Sequence, residues 1–483
     1  MGGRDRRQCL RARCGRGGAR AGCPPEGVGE VNLKEIIKRA ETGPLLDAND
    51  FLMQRVAANV VKLQKQYAVR WDGQTLVNLD DDLADRCWAA GKELLLTSGL
   101  YSANSRRVIE FTPAEVEQAL RFAPRRLSMG QGKDTVEIQH RDVEEARRPF
   151  VFSGPFNADT HEKMFVRLNE AFAQERIIDC LFLPGYLKEL DGLTIRPNSG
   201  LSSRAAMLYG QWAREAVRRA GRPGMPICGH AVMALNEIAC TNEAWGLRQS
   251  DPRAMVLLSE LQVDDVTLTR LTYYTAYGCP LYVAFTPLVG GYGGGPDGTA
   301  IVAVAAFIAA VMLGAEICHL GPQHIKYKQQ TNNHSLFLGS LANQAVARNS
   351  HIIATTSHTT AGRPGSAQYP YEFSALALAA VTSGSNVSGP RPAEPLGFNN
   401  VSPLMARLFA EVAHAAAGLT RAQAAPVVEA LYARYKDKLL LAEAPTGQPF
   451  EELFDLDTLT PTPEHQALYE GVKEELMRLG VPL

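Results

Sequence analysis

Cys228 closes a short apolar run and is followed two residues later by His230, while His319 and His358 close two other such runs. In a parallel αβ architecture the strand ends gather on one face, so a thiol and imidazoles far apart in sequence can meet there. Two chemistries would use such a group. A zinc ion held by Cys and His ligands with one open position would deprotonate a thiol or alcohol, or polarise an amine. A thiolate activated by a neighbouring imidazole would act as a nucleophile without metal. The catalytic candidates are therefore Cys228, His358 and His230. No ligand spacing by itself demands a metal, so no metal ligand is assigned and zinc stays one of two outcomes. The plain alternatives are a small buried apolar side chain for Cys228 and surface or loop-bracing imidazoles for the histidines.

A second candidate region runs from Leu288 to Tyr327. It carries a glycine-dense turn, Gly290-Gly-Tyr-Gly-Gly-Gly295, a helix opening at Asp297, a strand from Glu316 to Leu320, and the loop His319-Leu-Gly-Pro-Gln-His324. Loop, helix, strand and polar loop make one αβ unit of a parallel sheet. Glycines permit positive φ and close approach of a backbone or ligand, which makes Gly291, Tyr292 and Gly293 cofactor-facing candidates; the plain alternative is a tight turn packed on a neighbour. The spacing matches neither GxGxxG nor GxxxxGK[ST], so a nucleotide-phosphate cradle is disfavoured. The apolar run Ala300 to Ala315 is shorter than the roughly 20 residues that span a bilayer, and reads as a helix buried on the sheet.

The elements that must position these residues follow from texture. Residues 1–30 are rich in Arg and Gly and poor in large apolar side chains, and are expected to form a disordered tail. Residues 31–148 read as a helical extension with small β additions: Phe51 to Leu63 and Leu83 to Leu96 show helical periodicity, Thr112-Pro-Ala-Glu115 is a capping box, Trp71-Asp-Gly-Gln74 suggests a hairpin turn, and Val136 to Gln139 alternates as a strand. Over residues 149–400 seven short apolar runs alternate with Ala-rich helical stretches. They are Phe150 to Phe152, Ile177 to Leu183, Met225 to Cys228, Leu281 to Thr286, Glu316 to Leu320, Ile352 to Thr355 and Asn386 to Ser388. With room for an eighth between Ala239 and Leu271, this predicts a (β/α)8 TIM barrel, an α/β fold with an N-terminal helical cap. Residues 401–483 read as C-terminal helices packed on it, with Thr420-Arg-Ala-Gln423 as a capping box and Thr462-Pro463 opening the last helix.

Composition narrows the function classes. With 50 basic and 51 acidic residues the formal net charge is −1, which gives no bulk attraction to nucleic acid or an anionic membrane. Nine cysteines, without a CxxC pair beyond the first two dozen residues, signal neither a zinc ribbon nor a disulfide framework, and a cytoplasmic setting is expected.

With these segments placed, the chain resembles the corrinoid-dependent monomethylamine methyltransferases of methanogenic archaea. The stretches that carry the resemblance run from about Lys62 to the C-terminus: Gln66-Tyr67, Leu94 to Tyr101, Ala220-Gly-Arg-Pro-Gly-Met225, the glycine turn with its Ala-rich helix, His319 to His324, Phe450 to Asp455 and Leu459 to Glu464. The resemblance implies a barrel that lifts a methyl group from a methylated amine and hands it to the Co(I) of a separate corrinoid protein docked at the barrel mouth. It implies no tightly bound cofactor, a corrinoid supplied by the partner, a homo-oligomer and methanogenesis-type one-carbon metabolism. In that family, pyrrolysine, an imine-bearing lysine derivative that captures the amine, follows the Ala-Gly-Arg-Pro-Gly-Met motif. Past Pro226 and Ile227 this chain has Cys228 at that position.

A thiol is not the electrophile that an imine is. The same comparison places the family's pocket glutamates at Ala254 and Ala284, and its Gln-Tyr-Tyr segment near Thr356-Ser357-His358. The pocket is therefore expected to be rebuilt, with a methyl donor other than monomethylamine. Within this reading a Cys228 thiolate would be a transient methyl acceptor, Tyr292 could stack on the corrin, and His319 and His324, present in the family's loop as well, would be cofactor-facing residues that shape the mouth or touch the corrin. The competing reading is a non-catalytic relative that binds a corrinoid protein or a small methylated ligand. A lyase or hydrolase on the same scaffold rests on fold analogy alone.

Overall fold

The computed structural model describes residues 33–156, 158–229 and 235–483, so the tail expected over residues 1–30 lies outside the described residues. Its centre is an eight-stranded parallel sheet. The strands are β1 (Val151–Ser153), β2 (Cys180–Phe182), β3 (Ile227–Cys228), β4 (Arg253–Leu257), β5 (Leu281–Phe285), β6 (Ile317–Leu320), β7 (Ala354–Thr360) and β8 (Asn386–Pro392). Their spatial order is β3-β2-β1-β8-β7-β6-β5-β4, and a parallel bridge from Gly229 to Arg253 joins the two ends, so the sheet closes on itself. All seven apolar runs become strands, and β4 is the eighth, within the interval left for it.

Alternation along the strands separates inside from outside. Phe152, Cys180, Phe182, Cys228, Ala254 and Tyr282 form one buried cluster within the ring. The intervening Val151, Leu181, Ile227 and Val387 pack with the surrounding helices on one side, and Met255, Val283, Phe285, Cys318 and Leu320 with those on the other. The helices are α1 (Asp81–Ser98) from the N-terminal segment, then α2 (Glu162–Gln174), α3 (Gly200–Arg219), α4 (Asp265–Tyr277), α5 (Pro296–Met312), α6 (Asn333–Asn349), α7 (Gln368–Thr382) and α8 (Pro403–Ala415), each following a barrel strand, with α9 (Arg421–Tyr435) and α10 (Pro463–Arg478) beyond. After β3 the described chain resumes only with the short helix Leu235–Ile238.

The N-terminal segment is tied on by specific contacts. Thr112 Oγ1 accepts from Glu115 N–H at 3.3 Å and Glu115 returns the bond at 2.8 Å, the expected capping box. Glu115 also accepts from Arg39 at 2.7 Å. Val136–Gln139 is a strand, paired antiparallel with Arg126–Met129. Trp71-Asp-Gly-Gln74 makes no hairpin. Instead the Asp72 carboxylate accepts from the backbone of Gln74 and Thr75 and from the Thr75 hydroxyl, folding a loop that puts the Trp71 ring on Phe337.

Helix α5 is buried along its whole length because α1 covers the face that would otherwise meet solvent. Close approach there needs Gly91, where an added Cβ would lie 2.4 Å from Val304 Cγ1. Among the described residues no helix is long and apolar enough to cross a membrane. Gly91→Ala is expected to destabilise the protein by about 1–3 kcal/mol, since a branched valine held in a packed helix has nowhere to go. Gly471→Ala is the control: it is exposed inside α10 with open space around it, and should stabilise by roughly 0.5–1 kcal/mol through helix propensity. Paired urea melts check both signs.

Candidate active site

Cys228 lies inside the ring at the tip of β3, fully buried among Phe182, Cys180, Ala254 and Tyr282. Its Sγ has a weak contact with the Gly229 carbonyl at 3.9 Å. Burial pushes the thiol well above its usual range, and Arg253 opposes this only in part. That guanidinium is committed to four backbone carbonyls, those of Thr241, Asp251, Leu247 and Arg248, at 2.8–3.1 Å. Nucleophilic and metal-binding cysteines act as thiolates, so this environment favours neither role. Among the described residues no group of three His, Cys, Asp or Glu side chains could hold a metal ion.

His319 also lies inside, and it is part of a polar cluster that the sequence reading missed. Its Nδ1 is 2.6 Å from the Tyr282 hydroxyl and 2.9 Å from Thr355 Oγ1, while the Tyr282 hydroxyl also reaches Thr355 at 3.1 Å and Ser388 at 2.9 Å. Four strands, β5 to β8, contribute one side chain each. Burial, with smaller repulsions from His358 and Arg391, holds the His319 imidazole down to about 3, so it is neutral at ordinary pH. Nδ1 accepting from the hydroxyls satisfies the cluster and leaves the ring proton on Nε2. Phe156 and Phe182 stand beside it, with ring centroids at 6.4 and 6.0 Å.

His358 does not join this group. The β7–β8 register shifts between Ser357 and Thr359, and the His358 ring packs outward on Phe409 of α8, with centroids 4.6 Å apart. Its Nδ1 donates to the Thr356 and Ser388 carbonyls at 2.9 and 3.2 Å, and burial lowers it to about 4. Cys228 and His358 are therefore on opposite sides of the barrel wall. His230 lies outside the described residues.

The cofactor-facing candidates other than His319 do gather. Leu288–Val289 pairs in parallel with Gln323–His324, which fixes the glycine turn beside the histidine loop just past β5 and β6. The turn closes through Gly290 N–H to the Gly294 carbonyl at 2.8 Å, with φ of +88° and +72° at these two glycines. Tyr292 on the turn and Ile325 on the neighbouring loop are exposed. The His324 Nδ1 accepts from Lys326 N–H at 3.0 Å, a loop-bracing contact.

Beneath this turn sits Glu260, buried, with Oε1 accepting from Leu288 N–H at 3.4 Å and Oε2 without a partner among the described residues. Burial raises its carboxyl to about 7. Glu372 is buried too but fully bonded. It accepts from the Ala361 and Gly362 amides and Gln368 Nε2, each at 2.7 Å, and from the Thr331 hydroxyl, and so it pins the loop leaving β7.

Arg391, near the tip of β8, was also missed. Its guanidinium carbon lies 4.9 Å over the Phe156 ring and its Nε donates to Thr359 Oγ1 at a long 3.4 Å. Desolvation lowers its pKa, and the groups that oppose this are the hydroxyls of Tyr186 and Tyr369; no carboxylate is among them. A desolvated cation–π contact offers about 2 kcal/mol. Removing an unpaired ion from water costs several kcal/mol, so the aromatic face offsets only part of that penalty. The available signal was a lone charge on a strand of otherwise uncharged residues, but nothing local in the sequence gives its direction.

Fold and site together define a (β/α)8 barrel enzyme with a neutral hydroxyl–imidazole cluster inside and a glycine-turn and histidine-loop surface at the strand exits. The sequence model of the family described as "Monomethylamine methyltransferase MtmB" matches residues 31–481, and the chain belongs to that family. Monomethylamine methyltransferase MtmB2 of Methanosarcina acetivorans is 27% identical over 451 residues, covering 92% of this chain and 97% of the relative. MtmB of Methanosarcina mazei is 27% identical over 450 residues, with the same coverage. The crystal structure of the Methanosarcina barkeri monomethylamine methyltransferase superposes with a TM-score of 0.90 at 25% identity, over 93% of this chain and 98% of that one, and that of a hydroxylamine MtmB complex does equally well.

Cys228 should resist iodoacetamide in the native protein and react only on unfolding, read by peptide mapping; fast native labelling would contradict its sealed position. The pKa of His319 and His358 is depressed from 6.5 to about 3 and 4, so the unfolded chain binds more protons below pH 6.5. Stability is then full above pH 6.5 and falls as pH drops toward 4, by on the order of 1 kcal/mol per pH unit per histidine. Tm against pH should show this slope, and His358→Asn should flatten it.

Proposed function

We propose that this chain is a methyltransferase that moves a methyl group from a methylated amine to the Co(I) of a corrinoid protein docked at the strand-exit face. The observation that carries the proposal is family membership over nearly the whole chain, with the barrel and the mouth loops retained. The exposed Tyr292 and Ile325 on the paired loops offer the partner an apolar contact.

The donor is a methylated amine other than monomethylamine, because the family's amine-capturing position holds a sealed thiol. What replaces capture is recognition. Phe152, Phe156, Phe182 and Tyr282 pack on one another with neighbouring centroids 4.6–5.6 Å apart, an aromatic lining that would attract a methylated ammonium bound against it. A neutral His319 does not repel that cation. In the transfer the methyl carbon gains a bond to cobalt as its bond to nitrogen breaks. The C–N electron pair stays with the departing amine, and cobalt passes from Co(I) to Co(III).

The inert Cys228 favours a second reading, a relative that binds its ligands without turnover. Mixing the purified protein with methylated amines and a Co(I) corrinoid protein separates the two. Growth of methylcobalt absorbance with at least one donor is expected, and none with any donor would leave only the binding role. Cys228→Ala should keep the rate within about threefold of the parent, because the thiol takes no part in the step.

A further inference from the structure

The guanidinium of Arg391 faces the same end of the barrel as the hydroxyl–imidazole cluster. Its charge is felt at His319, since Arg391 is one of the charges that depress that imidazole. Phe156 links them: its ring lies 4.9 Å beneath the Arg391 guanidinium carbon and 6.4 Å from the His319 ring. The side chain is only partly exposed, and its one protein hydrogen bond, to Thr359, uses Nε. Among the described residues neither terminal nitrogen forms an ion pair or hydrogen bond. A planar fork of two donors with no acid beside it is the arrangement that binds a carboxylate in bidentate fashion.

The region thus pairs an anion-seeking corner with aromatic faces suited to a methylated cation, separated by one phenyl ring.

We propose that the substrate carries a carboxylate as well as its methylated nitrogen, and that Arg391 holds the carboxylate, which makes the donor an N-methylated amino acid rather than a simple methylamine. This rests on the methyltransferase reading and narrows its substrate class. For such a donor the transfer is balanced. The zwitterion, a secondary methylammonium with its carboxylate, gives its methyl to Co(I), and the C–N electron pair remains on nitrogen. The free amino acid leaves with a neutral primary amine and its carboxylate intact, and cobalt ends as Co(III). Arg391 acts in binding and orientation only, and no proton passes through it.

The test is calorimetric binding to the full chain, using N-methylglycine, its methyl ester, methylammonium and inorganic phosphate as probes. N-methylglycine is expected to bind roughly tenfold or more tightly than the ester or methylammonium, the ratio one charge-assisted contact supplies. Arg391→Gln should erase that advantage and Arg391→Lys should keep part of it. Equal binding of acid and ester, an advantage that survives Arg391→Gln, phosphate binding as tight as N-methylglycine, or no binding of any probe would each overturn the proposal. The acid-against-ester comparison needs no variant, so a misfolded mutant does not blunt it. Binding is also read apart from turnover. A protein that shows the acid preference but forms no methylcobalt sinks the methyltransferase reading alone, whereas methylcobalt from methylammonium without any acid preference sinks this one alone.

Discussion

One phenolic oxygen ties together half of the barrel. The Tyr282 hydroxyl on β5 meets His319 on β6, Thr355 on β7 and Ser388 on β8 within 3.1 Å, at a depth where water does not compete. A parallel ring must fill its own interior, and polar groups buried there must find partners or carry the full penalty of desolvation. The cluster meets that constraint with four neutral side chains. Phe152, Phe182, Cys228 and Ala254 complete the same layer with apolar surface from β1 to β4.

That division explains why the thiol is inert and the imidazole uncharged. Both sit in a medium that penalises ions; Arg253 offsets only part of that penalty for the thiol, and the charges acting on the imidazole are themselves positive. Chemistry in such an interior has to proceed through neutral contacts and aromatic faces, with charge admitted only near the rim. Arg391 and Glu260 mark that rim. The first is an arginine without a carboxylate partner among the described residues, and the second is a carboxyl that burial holds in its protonated form to near neutrality.

The barrel itself was legible because its signal is local and repeated: short apolar runs separated by Ala-rich helices, each run long enough for one strand. The capping boxes at Thr112 and Thr420 read correctly for the same reason, since a cap is decided within four residues. Trp71-Asp-Gly-Gln74 misled because Asp72 bonds its own backbone, which a turn composition does not distinguish from a hairpin. The site was harder. Which way His358 faces depends on a register shift between β7 and β8, a property of two strands whose pairing the sequence does not print. Tyr282 looked like one more aromatic in a strand, and only closure of the ring brings its hydroxyl to residues 37, 73 and 106 positions away.

At the centre of the barrel, then, stands an uncharged His319 bonded through Nδ1 to Tyr282. An NMR titration of the His319 ring in the intact protein addresses this most directly. A single neutral tautomer with the proton on Nε2 should persist from about pH 8 down to well below 5, as expected for a group held at about 3. A midpoint near the ordinary value of 6.5 would contradict it.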